Sequence, residues 1–312
     1  MNRPSRARRR AGKYAKTALL AAGVFLSAVV GVLAFVGYRV SHPRESAEAV
    51  SPTHYLLTAR DLTLLSRDGT TLAGYWIAGA HGAPAVVLAT GYGMSRSDGL
   101  SLAAALNREG FSVLLFAMRG CGEKPRGASW LGLREAADVE AAFDLLEHRT
   151  DIDRARMGVW GVDVGARAAL SAAGARSSVR VIVADSPFDQ VSDFLALRVR
   201  EDLGVSSALL NRLCGWGLGI VEAAAAPGAG KLELGGLSDR EVLILHGRNR
   251  PAMEPLAVRV HGSIVPTKSL MEVRASRVRL MAGEELRDYD AAVVEFFRLH
   301  LRNKRAGAKP GK

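Results

Sequence analysis

The chain has 312 residues, 48% hydrophobic and 23% charged, which describes an ordinary globular protein with enough material for one large core. Its formal net charge is +11, but seven Arg or Lys fall in Met1–Lys16 and five in Leu301–Lys312, with no acid in either stretch, so the body between them sums to about −1. That distribution removes the main reason to expect a nucleic-acid partner, and two cysteines, Cys121 and Cys214, are too few for a disulfide framework and sit in no metal-ligand spacing.

Residues 1–16 read as a basic cytoplasmic tail. From Thr17 to Val40 there is no acid and only Arg39 as a base, and these 24 residues exceed the roughly 30 Å of a bilayer's hydrocarbon layer at 1.5 Å per residue. An uncleaved transmembrane anchor at 17–40 is favoured over a signal peptide, because signal cores run to about 7–15 residues and Ala47-Glu48-Ala49 is the one plausible cleavage site. Seven basic residues before the helix against Arg39 and Arg44 after it put the N-terminus in the cytoplasm and the folded domain on the outer side. Polar Ser41–Pro52, with a proline near each end, opens a linker assigned to residues 41–59.

Beyond it, strand-like runs alternate with amphipathic helical stretches, the pattern of a mostly parallel sheet with helices on both faces. Leu62–Leu65 and Thr71–Ile77 flank Arg67-Asp68-Gly69, a hairpin signal. Strands follow at Ala85–Ala89, Ser112–Phe116, Met157–Trp160, Val181–Ala184, Val242–Leu245 and Val278–Met281, with helices at Leu100–Arg108, Leu133–His148, after Val164, and at Leu286–Leu301. Between about residues 186 and 240 the pattern breaks into apolar, Gly- and Ala-rich helical segments, expected to form a small helical cap. Leu203–Ala226 is read as part of that cap and not as a second span, because Asn211 and Arg212 interrupt its centre.

Several motifs, in order, resemble the α/β hydrolases, in particular the esterase, lysophospholipase and serine-aminopeptidase-like branch. They are Ser66-Arg67-Asp68-Gly69 with Leu72 and Gly74-Tyr75-Trp76, Thr90-Gly91-Tyr92-Gly93, Arg119-Gly120-Cys121-Gly122-Glu123, Gly132 with Glu135 and Asp138, Gly161-Val162-Asp163-Val164-Gly165, Asp185-Ser186-Pro187-Phe188, and His246-Gly247. The resemblance covers about residues 60–301, taken as the α/β-hydrolase domain, with 302–312 a basic tail.

The resemblance also implies where a Ser/Asp/His triad would sit, and each position holds something else. Asp163 stands at the nucleophile position of the Gly-x-Ser-x-Gly elbow, a place Asp tolerates because it enters the left-handed region more readily than most residues. Arg250 stands at the acid position, four residues after the strand-end His246, and a cation cannot orient an imidazole. Glu284 stands at the histidine position. His261, in an irregular stretch, and His300, on the terminal helix, are poor substitutes, and Asp185-Ser186-Pro187-Phe188 reads as an ordinary turn. The backbone N–H groups of Tyr92 and Val164 remain as an oxyanion hole.

Asp163, Arg250 and Glu284 are expected to converge as a buried acid-Arg-acid cluster with bidentate bonds. The functional expectation is a membrane-anchored pseudo-hydrolase with a ligand-binding or scaffold role, holding a small acyl-type ligand. The alternative is an active hydrolase of the ester, epoxide or haloalkane class using Asp163 as nucleophile. No cofactor or metal site is expected. The expected partner is membrane lipid, through the N-terminal helix.

Overall fold

The computed structural model describes residues 6–43, 49–121, 127–204, 207, 212–217, 232–264, 268–276 and 281–302. Gly122 and Glu123, parts of the expected linker and cap, most of Val278–Met281, the first five residues of the N-terminal tail and nearly all of the C-terminal tail lie outside the described residues.

An N-terminal helix, α1 (Arg6–Ser41), precedes a sheet built from β1 (Ala59–Leu65), β2 (Thr71–Ile77), β3 (Ala83–Ala89), β4 (Ser112–Phe116), β5 (Ile152–Val162), β6 (Val179–Asp185), β7 (Glu241–Gly247) and β8 (Lys268–Val273). Its strand order is β1-β2-β4-β3-β5-β6-β7-β8. β1 and β2 form the expected hairpin, closed by Gly69 at φ 83°, and β2 also runs antiparallel to β4; the other pairings are parallel. Parallel strands are covered on both faces and therefore read as unbroken apolar runs, and all seven residues of β3 are buried.

Alternation along each strand assigns the two faces. Ala85, Val87 and Ala89 of β3 share one core with α3 (Ala136–Glu147), α4 (Val164–Gly174) and α7 (Glu254–Ser263). Val86 and Leu88 point into the other, with α2 (Leu100–Arg108) and α8 (Gly283–Phe297). Between β6 and β7 lie α5 (Val191–Leu203) and a short helical stretch, α6 (212–217).

In the last third one strand was not foreseen and one expectation needs correction. The last strand among the described residues is Lys268–Val273, an edge strand with a mostly exposed side-chain pattern, so its Lys-Ser-Leu-Met-Glu-Val sequence carries no apolar run. The stretch before it, expected to be irregular, is α7, which buries Leu256, Ala257 and Val260 on one face and carries His261 in its last turn.

Candidate functional site

The carboxyl ends of β3, β5, β6 and β7 meet beside the place where strand order reverses, the usual position for a site in an open α/β sheet. β5 ends in a sharp elbow into α4, and the crowding there leaves no room for side chains on its glycines. A Cβ on Gly161 would lie 2.4 Å from the Gly165 carbonyl carbon, and one on Gly165 would lie 2.4 Å from the Ala89 oxygen. Between them Asp163 adopts φ 41° and ψ −102°, a strained conformation of the kind that persists only where its surroundings enforce it. Its N–H donates to the Asp185 carbonyl at 2.8 Å, tying the elbow to the end of β6.

Asp163 is 1% exposed, and its carboxylate fills the anion site that the elbow creates. Oδ1 accepts from the Tyr92 N–H at 2.7 Å and from the Val164 N–H at 2.6 Å. These are the two N–H groups expected to form an oxyanion hole, and both are taken by the protein's own side chain. Gly91 makes this possible, since a Cβ there would come within 2.9 Å of Oδ1. The second oxygen, Oδ2, faces Arg250, whose Nη1 is 3.7 Å away.

Arg250 sits in the turn between β7 and α7, where its N–H donates to Gly247 and its carbonyl accepts from Met253. It is 8% exposed and its Nη1 makes no hydrogen bond. The bidentate acid-Arg-acid cluster is therefore not formed. Asp163 and Arg250 make a buried ion pair beyond hydrogen-bond length, and Glu284 is absent from it. Glu284 lies exposed in the first turn of α8, where a carboxylate complements the helix dipole and keeps its hydration.

Among the described residues, no histidine forms a hydrogen bond or ion pair with the Asp163 carboxylate. His246 is buried in β7, His261 lies on α7, and His300 is partly exposed 3.6 Å from Glu241. No cluster of metal-ligating side chains occurs among the described residues.

A buried polar network beneath the elbow was not foreseen. Asp185, fully buried, accepts from the Ser186 hydroxyl at 2.8 Å and from the Tyr289 hydroxyl at 2.9 Å, and Tyr289 in turn accepts from the Trp160 ring N–H at 3.0 Å. Ser186, at φ 51°, also meets the Ser276 hydroxyl at 3.0 Å. Burial, with Asp185 beside it, pushes the Tyr289 hydroxyl well above the usual phenol range. The stretch read as an ordinary turn is thus a pinned junction between β6, α8 and the segment after β8. The available signal was an acid closing a continuous apolar strand, which has to find donors.

Two further networks frame the site. Arg119, 3% exposed, is gripped by Asp138 through Nε at 2.9 Å, by Asp68 at 2.6 Å and by Ser66 at 3.1 Å, so the hairpin and the Arg-Gly motif form one unit. Glu135, fully buried, accepts from the Ser129 hydroxyl and from the N–H groups of Trp130, Gly132 and Arg134, shaping the loop that precedes α3. Burial pushes its carboxyl above the usual range.

That loop and Tyr92 both reach α1. The Tyr92 hydroxyl donates to the Val40 carbonyl at 2.8 Å, and the Ser129 N–H donates to the Ser41 carbonyl at 2.8 Å. Val36 and Val40 are buried with Tyr92, Val164, Phe188 and Phe194 in a third apolar cluster, and the Arg198 guanidinium of α5 lies over the Tyr92 ring at 4.5 Å. Between α1, the loop and the α5–α6 segment is an apolar cavity of about 530 Å³; neither Asp163 nor Arg250 lines it.

Comparison with known proteins fits this architecture. An esterase of Pyrococcus furiosus superposes with a TM-score of 0.64 over 84% of this chain and 99% of its own, at 19% identity. A dienelactone hydrolase of Anabaena variabilis does so with a TM-score of 0.52 over 79% and 99%, at 20% identity. In sequence, the chain is 33% identical over 178 residues to an uncharacterized protein of Mycobacterium tuberculosis, covering 56% of this chain and 60% of that one. No family model matches the chain. The chain has the α/β-hydrolase fold. It spans about 60% of the length of the first of its curated relatives, and its N-terminal helix contains one stretch, Lys16–Ser41, long and apolar enough to cross a membrane.

Proposed function

We propose that this protein is a membrane-anchored pseudo-hydrolase, a hydrolase-fold domain that binds a ligand or partner and does not turn over esters. The observation that carries the reading is the seating of the Asp163 carboxylate in its own oxyanion hole, with Arg250 against its other oxygen. A substrate carbonyl would have to displace a charged, doubly hydrogen-bonded group from those donors, and no imidazole stands by to move a proton. Anchoring is supported by α1, whose apolar side chains are exposed from Leu19 to Leu26 in a way that water would penalise. With α1 as the span, the basic residues ahead of it favour a cytoplasmic N-terminus and an outward-facing domain.

One observation favours a second reading. A carboxylate nucleophile needs one oxygen held and the other free to attack carbon, and Asp163 has its Oδ1 held while Oδ2 points elsewhere. Attack on an epoxide or haloalkane would form an ester and open the ring or expel halide, but hydrolysis of that ester needs a base to activate water. Arg250 occupies the space before Oδ2 and cannot serve as that base.

The test is turnover of short-chain aryl esters, an epoxide and a haloalkane by the folded protein and by Asp163→Ala, with intact-mass analysis for an adduct. Neither turnover nor adduct is expected. Activity in the wild type that the substitution abolishes makes Asp163 catalytic and rejects the pseudo-hydrolase reading.

A further inference from the structure

Helix α1 carries two kinds of apolar surface. Leu19, Phe25 and Leu26 are 74%, 72% and 64% exposed, whereas Val36 and Val40 are 3% and 2% exposed against the domain. The stretch from Val30 to Val40 is about 15 Å of helix at 1.5 Å per residue, and along it α1 stands beside the domain with the cavity between them. Val30, Leu33 and Gly37 of α1 form one wall; Leu131, Leu195 of α5 and Cys214 of α6 stand opposite. On α6, between Cys214 and the cavity-lining Gly217, Trp216 is 73% exposed.

We propose that this cavity holds one acyl chain of a bilayer lipid, entering sideways from the outer leaflet, with Trp216 at the headgroup level. The inference rests on the anchoring reading above and deepens it. A span beginning at Thr17 needs about 20 residues to cross the hydrocarbon, so it is still inside that layer at Val30 and Leu33. The cavity therefore starts below the membrane surface, where the surrounding solvent is lipid chain and not water. An apolar cavity has nothing to offer water, and its volume lies within the ordinary range for small-ligand pockets. Trp216 fits the same placement, since tryptophan is enriched at membrane interfaces, where an apolar ring and a polar N–H are both satisfied. Because Asp163 and Arg250 do not line the cavity, the lipid is held and not cleaved.

The full chain, reconstituted in phosphatidylcholine liposomes doped with a phosphatidylcholine carrying a diazirine in one acyl chain, is irradiated, digested and mapped by mass spectrometry. Adducts are expected within residues 17–29 and also on the domain side, at Leu131, Leu195 or Cys214. Gly37→Phe places a ring in the cavity from a position with nothing within 4 Å of its Cβ, and Gly217→Phe does so from the opposite wall. Each variant is expected to abolish the domain-side adducts and keep those on 17–29. Helix adducts without domain-side adducts, or domain-side adducts indifferent to both substitutions, overturn the lipid site and leave the anchor standing. Absence of adducts on 17–29 overturns the anchor and the lipid site with it.

Discussion

The Tyr92 hydroxyl and the Val40 carbonyl are joined by a 2.8 Å hydrogen bond, which links the residue whose N–H donates to the Asp163 carboxylate to the last turn of the N-terminal helix. Tyr92→Phe keeps the ring and leaves that carbonyl without its donor, at a cost of about 1 kcal/mol. The expected readout is a fall in Tm of about 2–4 °C for a domain of this size, measured on the full chain in detergent. An unchanged Tm shows that the bond contributes nothing to holding the helix.

Asp163 satisfies two buried N–H groups and faces a buried guanidinium. Asp163→Ala strips all three at once and is expected to destabilise by roughly 2–4 kcal/mol. Asp163→Asn, whose amide oxygen can still accept from both N–H groups and which also tolerates positive φ, should fall between wild type and alanine. Urea titration of the three proteins checks the order, and equal midpoints for Asn and Ala would mean that the hydrogen bonds do not matter.

Asp290, on α8, accepts from Ser101 of α2, and burial pushes its carboxyl up to about 6 from the ordinary 3.8. Between those values the folded chain binds more protons than the unfolded one. This contribution is therefore fully present below about pH 4, declines as pH rises, and is lost above about pH 6. Asp290→Asn removes the ionisation and should raise stability at pH 7.5 by on the order of 2 kcal/mol, with little gain at pH 4. Thermal melts at the two pH values decide it, and a gain of equal size at both would remove the titration as its cause.

Of the four tryptophans, Trp76 and Trp160 are buried and Trp216 is largely exposed. Trp130 lines the cavity, so in liposomes containing brominated lipid both it and Trp216 should be quenched, and Trp216→Phe should lower the quenching and leave the share of Trp130. Equal quenching in the variant would place α6 away from the bilayer surface.

The sheet and the elbow were legible because their physics is local. Buried parallel strands such as Ala83–Ala89 cannot carry polar side chains on either face, and the tight contacts at Gly161 and Gly165 admit only glycine. The pairing of Asp163 with Arg250 followed from position alone, though its length did not. What failed was placed by the environment. Lys268–Val273 is an edge strand without an apolar run, and Glu284 follows the electrostatics of a helix start rather than a family position. The docking of α1 left no mark in the sequence, since Val36 and Val40 are as apolar as the exposed Val24 and Val32. A helix that is hydrophobic all round does not announce which of its faces meets protein.

Because the carbonyls of Val40 and Ser41 are both claimed by the folded domain, the helix and the domain turn as one body. A domain on a slack tether would sweep a hemisphere and present every face in turn. This one has a bearing: on the anchored reading proposed above, the tilt of its helix sets which side of the domain looks away from the bilayer.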